Sequence, residues 1–417
     1  MSADALKILI VSREYPPETG GGGIGSYVES IAPALASLGH EVHVLSCDFG
    51  QAARDYVDRG VFVHRRPNLE IRGFARLWRL LRAPEEAAGT LIGAISAYVH
   101  HRRLGVRFDV VEHADWAAEG LIFALRRDTP LVAQLHAPMP VIRAHAGVTL
   151  NARGAAWISA FERVAVARSD VVTAPAPFLV GWLRARGWLR RDDVEIVPLP
   201  VDWHAWSDVP PASEAGPVVL FIGKIVPLKA PEVLVEAMEL LRAEIPGAQA
   251  LFVARFGETR DGYPAFEWVG RRLAFDGCEF TGFVPRSELA PYVARGRVLA
   301  LTSLFENFSM VALEALASGR DVVASDTTGV ASFLSANGLG AVVPVGDARA
   351  LAAALRPYLL DAQFASERGE RGRAVARRLL DPAVIAARRV AAYRRAMALH
   401  GRRAARGARR APQPATP

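Results

Sequence analysis

Short runs of apolar residues alternate along the chain with longer stretches in which apolar positions recur every three or four residues. The short runs are rich in valine, isoleucine and leucine, and glycine, proline or polar residues flank them. This pattern is typical of buried strands separated by amphipathic helices, and it predicts an α/β protein. The strands predicted for the first half of the chain are 7–12, 41–46, 108–112, 131–135, 170–173 and 194–197.

The alternation starts again at Val218, so the second half predicts a sheet of its own. Residues 205–216, between the halves, are rich in proline, serine and alanine without a periodic apolar pattern, which indicates a linker. We therefore expect one domain over residues 1–204 and a second over residues 217–381. The strands predicted for the second domain are 218–222, 250–253, 279–281, 298–302, 321–325 and 341–345.

The residues that follow the predicted strand 298–302 form a pattern that predicts a ligand site. Ser309 is a favoured N-cap residue for a helix over 310–318. Open α/β sheets bind ligands at the carboxyl ends of their strands, and a helix N-terminus there suits a phosphate. Glu306 in the loop and Glu314 in the helix add carboxylates that can accept hydrogen bonds from vicinal hydroxyls. The combination favours a sugar nucleotide as the ligand, and two solvated glutamates are the alternative.

A run of four glycines, 20–23, follows the first predicted strand and precedes a predicted helix over 26–38. The glycines are consecutive, so they do not form the G-x-G-x-x-G fingerprint of dinucleotide-binding proteins. Backbone without side chains can approach a ligand closely, which favours a ligand-binding role for this loop. The alternative is a flexible turn.

Cations and histidines also follow predicted strands. Lys224 and Lys229 flank the turn after the strand 218–222, where a compact ammonium suits a phosphate. His113 and His136 stand at the ends of two strands of the first half, where this kind of sheet places its sites. The alternatives are solvated surface lysines and histidines with a structural role.

Charge and cysteine content narrow the function further. The net charge is +7, but residues 401–417 contain five arginines and no acid, which leaves +2 for the rest. This tail has no aromatic residues between its arginines, so nucleic-acid binding is not expected. Cys47 and Cys278 are far apart in the sequence and are expected to be free thiols in a reducing cytoplasm. No apolar run reaches the length of a membrane span, no secretory signal peptide is recognised, and no cluster has metal-ligand spacing.

These motifs together resemble the retaining nucleotide-sugar glycosyltransferases of family 4, whose signature is two glutamates separated by seven residues at a strand–loop–helix. The residues that carry the resemblance are ENFS (306–309), LEALASG (313–319), GKIVPLK (223–229) and PPETGGGGIGSYVESIAPALASLGHEV (16–42). The resemblance implies the GT-B fold, in which two Rossmann-like domains face each other across a cleft. It also implies that the last predicted helix, 382–399, returns to the N-terminal domain, with residues 400–417 as a disordered basic tail. The resemblance is poor over residues 57–104.

The resemblance also implies roles for individual residues. The lysines would hold the donor pyrophosphate, although Lys224 stands where the family has arginine. Gly22 and Gly23 would form a phosphate or acceptor loop that faces the cleft between the domains. Glu314 is assigned to the ribose, Glu306 to the donor sugar, and His136 to a position beside that sugar. His113 or Asp115 is an acceptor-side candidate. The predicted catalytic residues are Glu306, His136 and Lys229, and the predicted donor-binding residues are Lys224, Lys229, Gly282, Phe283, Glu306, Asn307, Phe308, Ser309 and Glu314.

Function is therefore expected to be sugar transfer from a nucleotide diphosphate donor to a hydroxyl acceptor, without a cofactor or a metal ion. A sugar-nucleotide epimerase of the same fold and a non-catalytic sugar-nucleotide binding protein are the alternatives. The base, the sugar and the acceptor stay open. Residues 71–82 have apolar residues on one helical face and arginines on another, which fits either a surface helix or peripheral contact with the inner face of the cell membrane.

Overall fold

A computed structural model describes residues 4–17, 22–48, 50, 52–71, 78, 84–145, 151–256 and 277–410. Two sheets form the framework, one on each side of residues 205–216. Helices cover the faces of both sheets, which explains why most strand residues are apolar and buried.

The N-terminal sheet has eight strands in the order β3-β4-β2-β1-β5-β6-β7-β8. All neighbouring strands are parallel except β3 and β4, which are antiparallel. The strands are β1 (Lys7–Val11), β2 (Glu41–Asp48), β3 (Arg54–Asp58), β4 (Val61–Pro67), β5 (Val110–Ala114), β6 (Leu131–Gln134), β7 (Val171–Ala174) and β8 (Val194–Ile196).

The helices of this half pack on the two faces of the sheet. Tyr27, Val28, Ile31 and Leu35 of the first helix point into the main hydrophobic core, because their spacing places them on one helical face. The helices are α1 (Gly23–Ser37), α2 (Glu85–Arg103), α3 (Leu121–Arg126), α4 (Met139–His145), α5 (Ala152–Arg168) and α6 (Pro177–Ala185), with a 3₁₀ turn at Trp116–Ala118.

The C-terminal sheet has six parallel strands in the order β11-β10-β9-β12-β13-β14. These strands are β9 (Val218–Ile225), β10 (Gln249–Phe256), β11 (Cys278–Phe280), β12 (Val298–Leu301), β13 (Asp321–Ser325) and β14 (Ala341–Val343). The parallel sheet predicted for residues 218–345 is therefore confirmed.

The helices of the C-terminal half lie between these strands and after them. They are α7 (Pro231–Glu244), α8 (Ala290–Ala294), α9 (Met310–Ala317), α10 (Gly329–Asn337), α11 (Ala348–Leu360), α12 (Ala362–Leu379) and α13 (Pro382–Arg410). Short 3₁₀ turns lie at His204–Trp206, Ala212–Glu214, Pro227–Lys229 and Arg286–Glu288.

The last helix, α13, crosses back onto the N-terminal domain, as predicted. Arg388 donates to the carbonyl of Ile196 on β8, at 2.7 Å, and Tyr393 lies buried in the main core. The helix continues to Arg410, so the prediction of a disordered tail from residue 400 is wrong for residues 400–410. Alanine and arginine are strong helix formers, and His400 and Arg403 both contact the carboxylate of Asp170, which holds the extra turn in place. Residues 411–417 lie outside the described residues.

Three other differences from the sequence prediction concern the N-terminal half. Strands β3 and β4 fall in the region where the motif signal is poor, and they were not predicted. Helix α1 begins at Gly23, three residues earlier than predicted. Strand β5 spans Val110–Ala114, so His113 lies inside a strand and not at its end.

No helix of the described residues is long and apolar enough to cross a membrane. The predicted amphipathic helix over residues 71–82 lies outside the described residues, apart from Ile71 and Trp78.

Candidate active site

Each sheet has one point at which its strand order changes direction, and several of the predicted site residues follow strands at these two points. In the C-terminal sheet this point lies between β9 and β12. The two strands pair only through Val298–Val219 and Leu299–Leu220. Beyond these pairs they diverge, which opens the crevice in which α/β sheets bind ligands.

The loops after β9 and β12 meet in this crevice. The Lys229 ammonium forms an ion pair with Oε2 of Glu306. Hydrogen bonds to main-chain carbonyls fix both loops, since Leu304 N–H donates to the Leu228 carbonyl at 2.8 Å and the Thr302 hydroxyl donates to the Lys229 carbonyl at 2.7 Å. The lysine and the glutamate predicted from two separate motifs are therefore brought together.

Gly329, the first residue of α10, supports the loop that carries Glu306. Gly329 N–H donates to the Glu306 carbonyl at 2.8 Å. A Cβ atom at this position would lie 1.6 Å from the carbonyl oxygen of Asn307, so only glycine fits. The position of Glu306 therefore depends on a residue that the signature motif does not include.

Helix α9 begins as predicted. The Ser309 hydroxyl accepts a hydrogen bond from Ala312 N–H at 3.3 Å, which is an N-cap. The remaining first-turn N–H groups and the positive end of the helix dipole suit an anion. Phe308 is buried against Phe333 and holds the helix start against the domain core.

Glu314 lies one turn further along α9 and is buried at 6% exposure. Its Oε1 accepts from Nε of Arg286 at 2.7 Å, and a guanidinium nitrogen of Arg286 lies 3.7 Å from Glu29 on α1. Burial raises the pKa of Glu314, and the charge of Arg286 opposes this shift. Arg286 follows Gly282 and Phe283 on the same loop, where Gly282 has φ +80° and Phe283 is 68% exposed.

Lys224 lies inside β9, which runs to Ile225, rather than in a turn after it. Its register partner on β10 is Arg255, whose strand end carried no predicted role. Burial lowers the pKa of Lys224, and the positive charges of Arg255 and Lys229 lower it further. Three cations therefore converge at the carboxyl ends of β9 and β10, which gives the crevice an affinity for anions.

The corresponding point of the N-terminal sheet lies between β1 and β5. Gly22 is the N-cap of α1 and Gly23 is its first residue, so both lie at a helix N-terminus that follows β1. Oε2 of Glu14 accepts from Gly25 N–H at 2.9 Å and would lie 3.1 Å from a Cβ atom on Gly22. Gly22 thus leaves room for Glu14 to cap the helix.

His136 follows β6 and lies against the ring of Tyr27, with ring centroids 5.2 Å apart. Its backbone N–H donates to Oδ1 of Asp115 at 2.9 Å. Burial lowers the pKa of His136 to about 4, so the imidazole is neutral at physiological pH. A neutral imidazole offers one donor and one acceptor to a ligand hydroxyl.

The two acceptor-side candidates, His113 and Asp115, are both fully buried. The His113 ring is satisfied by the Ala114 carbonyl at 2.8 Å and the Ser169 hydroxyl at 3.1 Å, and burial lowers its pKa to about 4. Asp115 holds the main chain of His136 and Ala137, and burial raises its pKa to about 7. Both side chains are buried behind the surface of the cleft, so neither is exposed to an acceptor in this structure.

The two domains enclose a cavity of about 300 Å³ at the cleft. The C-terminal domain contributes Lys229, Glu306, Asn307 and Phe308, and the N-terminal domain contributes Gly23 and His136. Oδ1 of Asn307 is buried and has no hydrogen-bond partner among the described residues, so it can accept from a ligand. Six predicted site residues do not line this cavity: Gly22, Lys224, Gly282, Phe283, Ser309 and Glu314.

One residue that the sequence analysis missed joins the two walls. Phe305, next to Glu306, is buried in a cluster formed mainly by residues of the N-terminal domain. Its ring centroid lies 4.5 Å from that of His145, 5.3 Å from that of Phe178 and 5.6 Å from that of Trp182. Asn307 Nδ2 also donates across the cleft, to the Leu135 carbonyl at 3.4 Å. No periodicity marks Phe305, because its partners are distant in sequence.

Among the described residues, no three His, Cys, Asp or Glu side chains come close enough to hold a metal ion.

Comparison with protein families gives two matches that together span most of the chain. A model described as Glycosyltransferase Family 4 matches residues 21–204, and one described as Glycosyl transferases group 1 matches residues 216–361.

Individual proteins match over most of their length. A glycogen synthase of Mycobacterium tuberculosis is 27% identical, over 88% of this chain and 89% of its own. A GDP-mannose-dependent alpha-mannosyltransferase of the same species is 28% identical, over 82% and 85%. The structure of a sucrose-phosphate synthase from Thermosynechococcus elongatus is 22% identical and superposes with a TM-score of 0.72, over 94% and 99%. This likeness supports the two-domain GT-B fold.

Proposed function

The chain belongs to glycosyltransferase family 4, and we propose from this premise that it transfers a sugar from a nucleotide diphosphate donor to an acceptor hydroxyl, retaining the anomeric configuration. The relatives named above are glycosyltransferases, which favours transfer over epimerisation and over binding without catalysis. One observation carries the proposal: Lys229 and Glu306 of the donor domain line the same cavity as His136 and Gly23 of the other domain.

The donor diphosphate would lie between the three cations and the start of α9. Lys229 and Lys224 supply ammonium groups, and Arg255 lies beside Lys224. In the structure Lys229 neutralises Glu306, and an entering diphosphate would share this lysine. Ser309 leaves first-turn N–H groups of α9 available to a phosphate oxygen.

The two glutamates would hold different parts of the donor. Glu306 lines the cavity between the domains, where the sugar must meet the acceptor, so we assign it to the donor sugar. Glu314 lies one turn beyond the phosphate-binding helix start, so we assign it to the ribose hydroxyls. The neutral imidazole of His136 would then contact a hydroxyl of the donor sugar without adding charge.

Catalysis would be mainly electrostatic. Cleavage of the sugar–phosphate bond leaves negative charge on the diphosphate, and fixed cations and a helix N-terminus stabilise charge that develops there. We therefore propose that the enzyme needs no metal ion. No protein carboxylate is assigned as a nucleophile, and retention rests on family membership.

The reaction is proposed to occur in the cytoplasm. Both cysteines are free thiols, with Cys47 buried and Cys278 half-buried, which fits a reducing compartment.

A donor and acceptor screen tests the proposal. Calorimetry with ADP, GDP and UDP identifies the base, and nucleotide sugars of that base are then incubated with hydroxyl acceptors. We expect a new glycoside whose anomeric proton coupling matches that of the donor, and equal rates with and without EDTA. An epimerised donor formed without acceptor would favour the epimerase, and tight donor binding without turnover on any acceptor would favour the binding protein. Loss of activity in EDTA that magnesium restores would overturn the metal-free mechanism.

A further inference from the structure

A buried group of polar side chains joins the last helix to the N-terminal sheet, directly behind His136. Glu112 on β5 and Arg389 on α13 form an ion pair at 1% and 0% exposure. The Glu112 carboxylate also accepts from the hydroxyls of Tyr27, at 2.8 Å, and Tyr393, at 2.5 Å. We refer to these four residues, Tyr27, Glu112, Arg389 and Tyr393, as the Glu112 cluster.

Stability alone is a weak explanation for this cluster. Burying two charges costs free energy, and their attraction often does no more than offset this cost. Well-packed apolar residues can replace such a pair without loss of stability. The Nε atom of Arg389 is buried and has no hydrogen-bond partner within the part of the chain that the structure describes. The ion pair keeps both charged side chains inside the protein and fixes the position of each. This fixed position explains more about the cluster than its contribution to stability does.

That position is set by directional contacts on three elements. The Arg389 guanidinium donates to Oε1 of Gln134 at 2.6 Å and to the Thr173 hydroxyl at 2.7 Å. Gln134 is the last residue of β6, two residues before His136. The cluster therefore fixes the end of the strand from which the His136 segment leaves the sheet.

Tyr27 connects the same cluster to the cleft. Its hydroxyl is held by Glu112, and its ring packs against the imidazole of His136 at 5.2 Å, with the ring planes 60° apart. Tyr27 lies in the second turn of α1, four residues after Gly23, which lines the cavity. Displacement of Tyr27 would therefore move both His136 and the start of α1.

We propose that Tyr27, Glu112 and Arg389 are positioning residues for sugar transfer, which hold His136 and the first turns of α1 in place at the cleft. The inference rests on the proposed function. The last helix thus contributes to the active site from behind the N-terminal wall, through Arg389, in addition to joining the two domains.

Two tyrosine variants test the proposal as a matched pair. Tyr27→Phe and Tyr393→Phe each remove one hydroxyl that donates to Glu112. Among the ring contacts of the described residues, His136 has one with Tyr27 and none with Tyr393. We expect a similar fall in melting temperature for both. Turnover should fall about tenfold in Tyr27→Phe alone, since displacement by 1 Å can cost about a hundredfold. The dissociation constant for nucleoside diphosphate should be unchanged in both. Equal turnover in the two variants would overturn the proposal.

A spectroscopic readout separates this inference from the proposed function. In ¹⁵N-labelled protein, Tyr27→Phe should shift the His136 imidazole resonances, whereas Tyr393→Phe should leave them nearly in place. This result does not require any transfer activity. If the wild type transfers no sugar, the proposed function fails, and unmoved imidazole resonances in Tyr27→Phe would refute the positioning role independently.

The role of Arg389 is tested by a conservative replacement. Arg389→Lys keeps the positive charge beside Glu112, whereas Arg389→Met leaves the carboxylate unpaired. We expect Arg389→Lys to retain more turnover than Arg389→Met at equal folded fraction. Equal turnover in both would show that the charge does not position the site.

Discussion

The two walls of the cleft are built in different ways. The C-terminal wall is built mainly from local segments. Lys229 and Glu306 lie in loops that follow β9 and β12, and hydrogen bonds to main-chain carbonyls fix these loops. The N-terminal wall depends on long-range side-chain contacts, such as the pair between Glu112 and Arg389, which are 277 residues apart. A local motif can therefore report the C-terminal wall, whereas the N-terminal wall is visible only in the folded protein.

The largest loss of turnover should come from a substitution at Gly329, which supports the C-terminal wall. Gly329→Ala places a methyl group where the Asn307 carbonyl oxygen lies, so the Glu306 loop must move. We expect turnover to fall by at least about a hundredfold, because a displacement of 1 Å can cost that much. Initial-rate kinetics with the donor identified by calorimetry provide the measurement.

Gly93→Ala is the control for this substitution. Gly93 lies inside α2, and no atom of the described residues lies within 4 Å of a Cβ atom placed there. Alanine is favoured over glycine inside a helix by about 1 kcal/mol, so this variant should be as active and at least as stable as the wild type. Comparable losses in both variants would mean that Gly329 has no special relation to the site.

The contact between the walls is tested by two buried phenylalanines of one loop. Phe305 packs into the N-terminal domain, and Phe308 packs against Phe333 of its own domain. Truncation of a buried phenylalanine costs about 3–5 kcal/mol, so both alanine variants should be less stable. Only Phe305→Ala should increase the radius of gyration in small-angle scattering, since it removes the ring that joins the domains. An equal change for Phe308→Ala would argue against such a join.

A smaller effect, on the pH dependence of stability, is expected from Asp115 in the N-terminal wall. Burial raises the pKa of Asp115 from 3.8 to about 7. The unfolded chain therefore loses this proton at lower pH than the folded protein, and the group lowers stability as the pH rises from about 4 to about 7. Asp115→Asn removes the titration and keeps an acceptor for the His136 N–H. The melting temperature of this variant relative to the wild type should be higher at pH 8 than at pH 4.5. A constant difference would contradict the raised pKa.

The comparison of the walls also explains what could be predicted from the sequence. Apolar runs fixed most strands to within two residues, because buried parallel strands are continuous in sequence, and the Ser309 cap marked the start of α9. Strands β3 and β4 were missed, since their exposed positions weaken the apolar signal. The strand predicted to end at residue 112 continues to Ala114, so His113 lies within β5 and its ring faces the core instead of the cleft. Arg286, Phe305 and Arg389 carry no local signal, because their partners lie in other elements.

The central claim for the C-terminal wall is that Glu306 contacts the donor sugar and Glu314 contacts the ribose. Calorimetry tests this claim directly. A hydrogen bond to a charged group contributes about 1.5–3 kcal/mol, so Glu314→Gln should weaken nucleoside diphosphate binding about ten- to a hundredfold. Glu306→Gln should leave that affinity nearly intact and lower turnover instead, because Glu306 is assigned to the sugar.

Arg286→Gln serves as the control, since it breaks the ion pair with Glu314 but keeps the carboxylate. A partly exposed ion pair contributes at most about 1 kcal/mol, so this variant should bind nucleoside diphosphate within about fivefold of the wild type. The account predicts that titration of nucleoside diphosphate into the three variants shows a large loss of affinity for Glu314→Gln alone. A loss for Glu306→Gln with normal binding by Glu314→Gln would reverse the assignment, and normal affinity and turnover in both would contradict it.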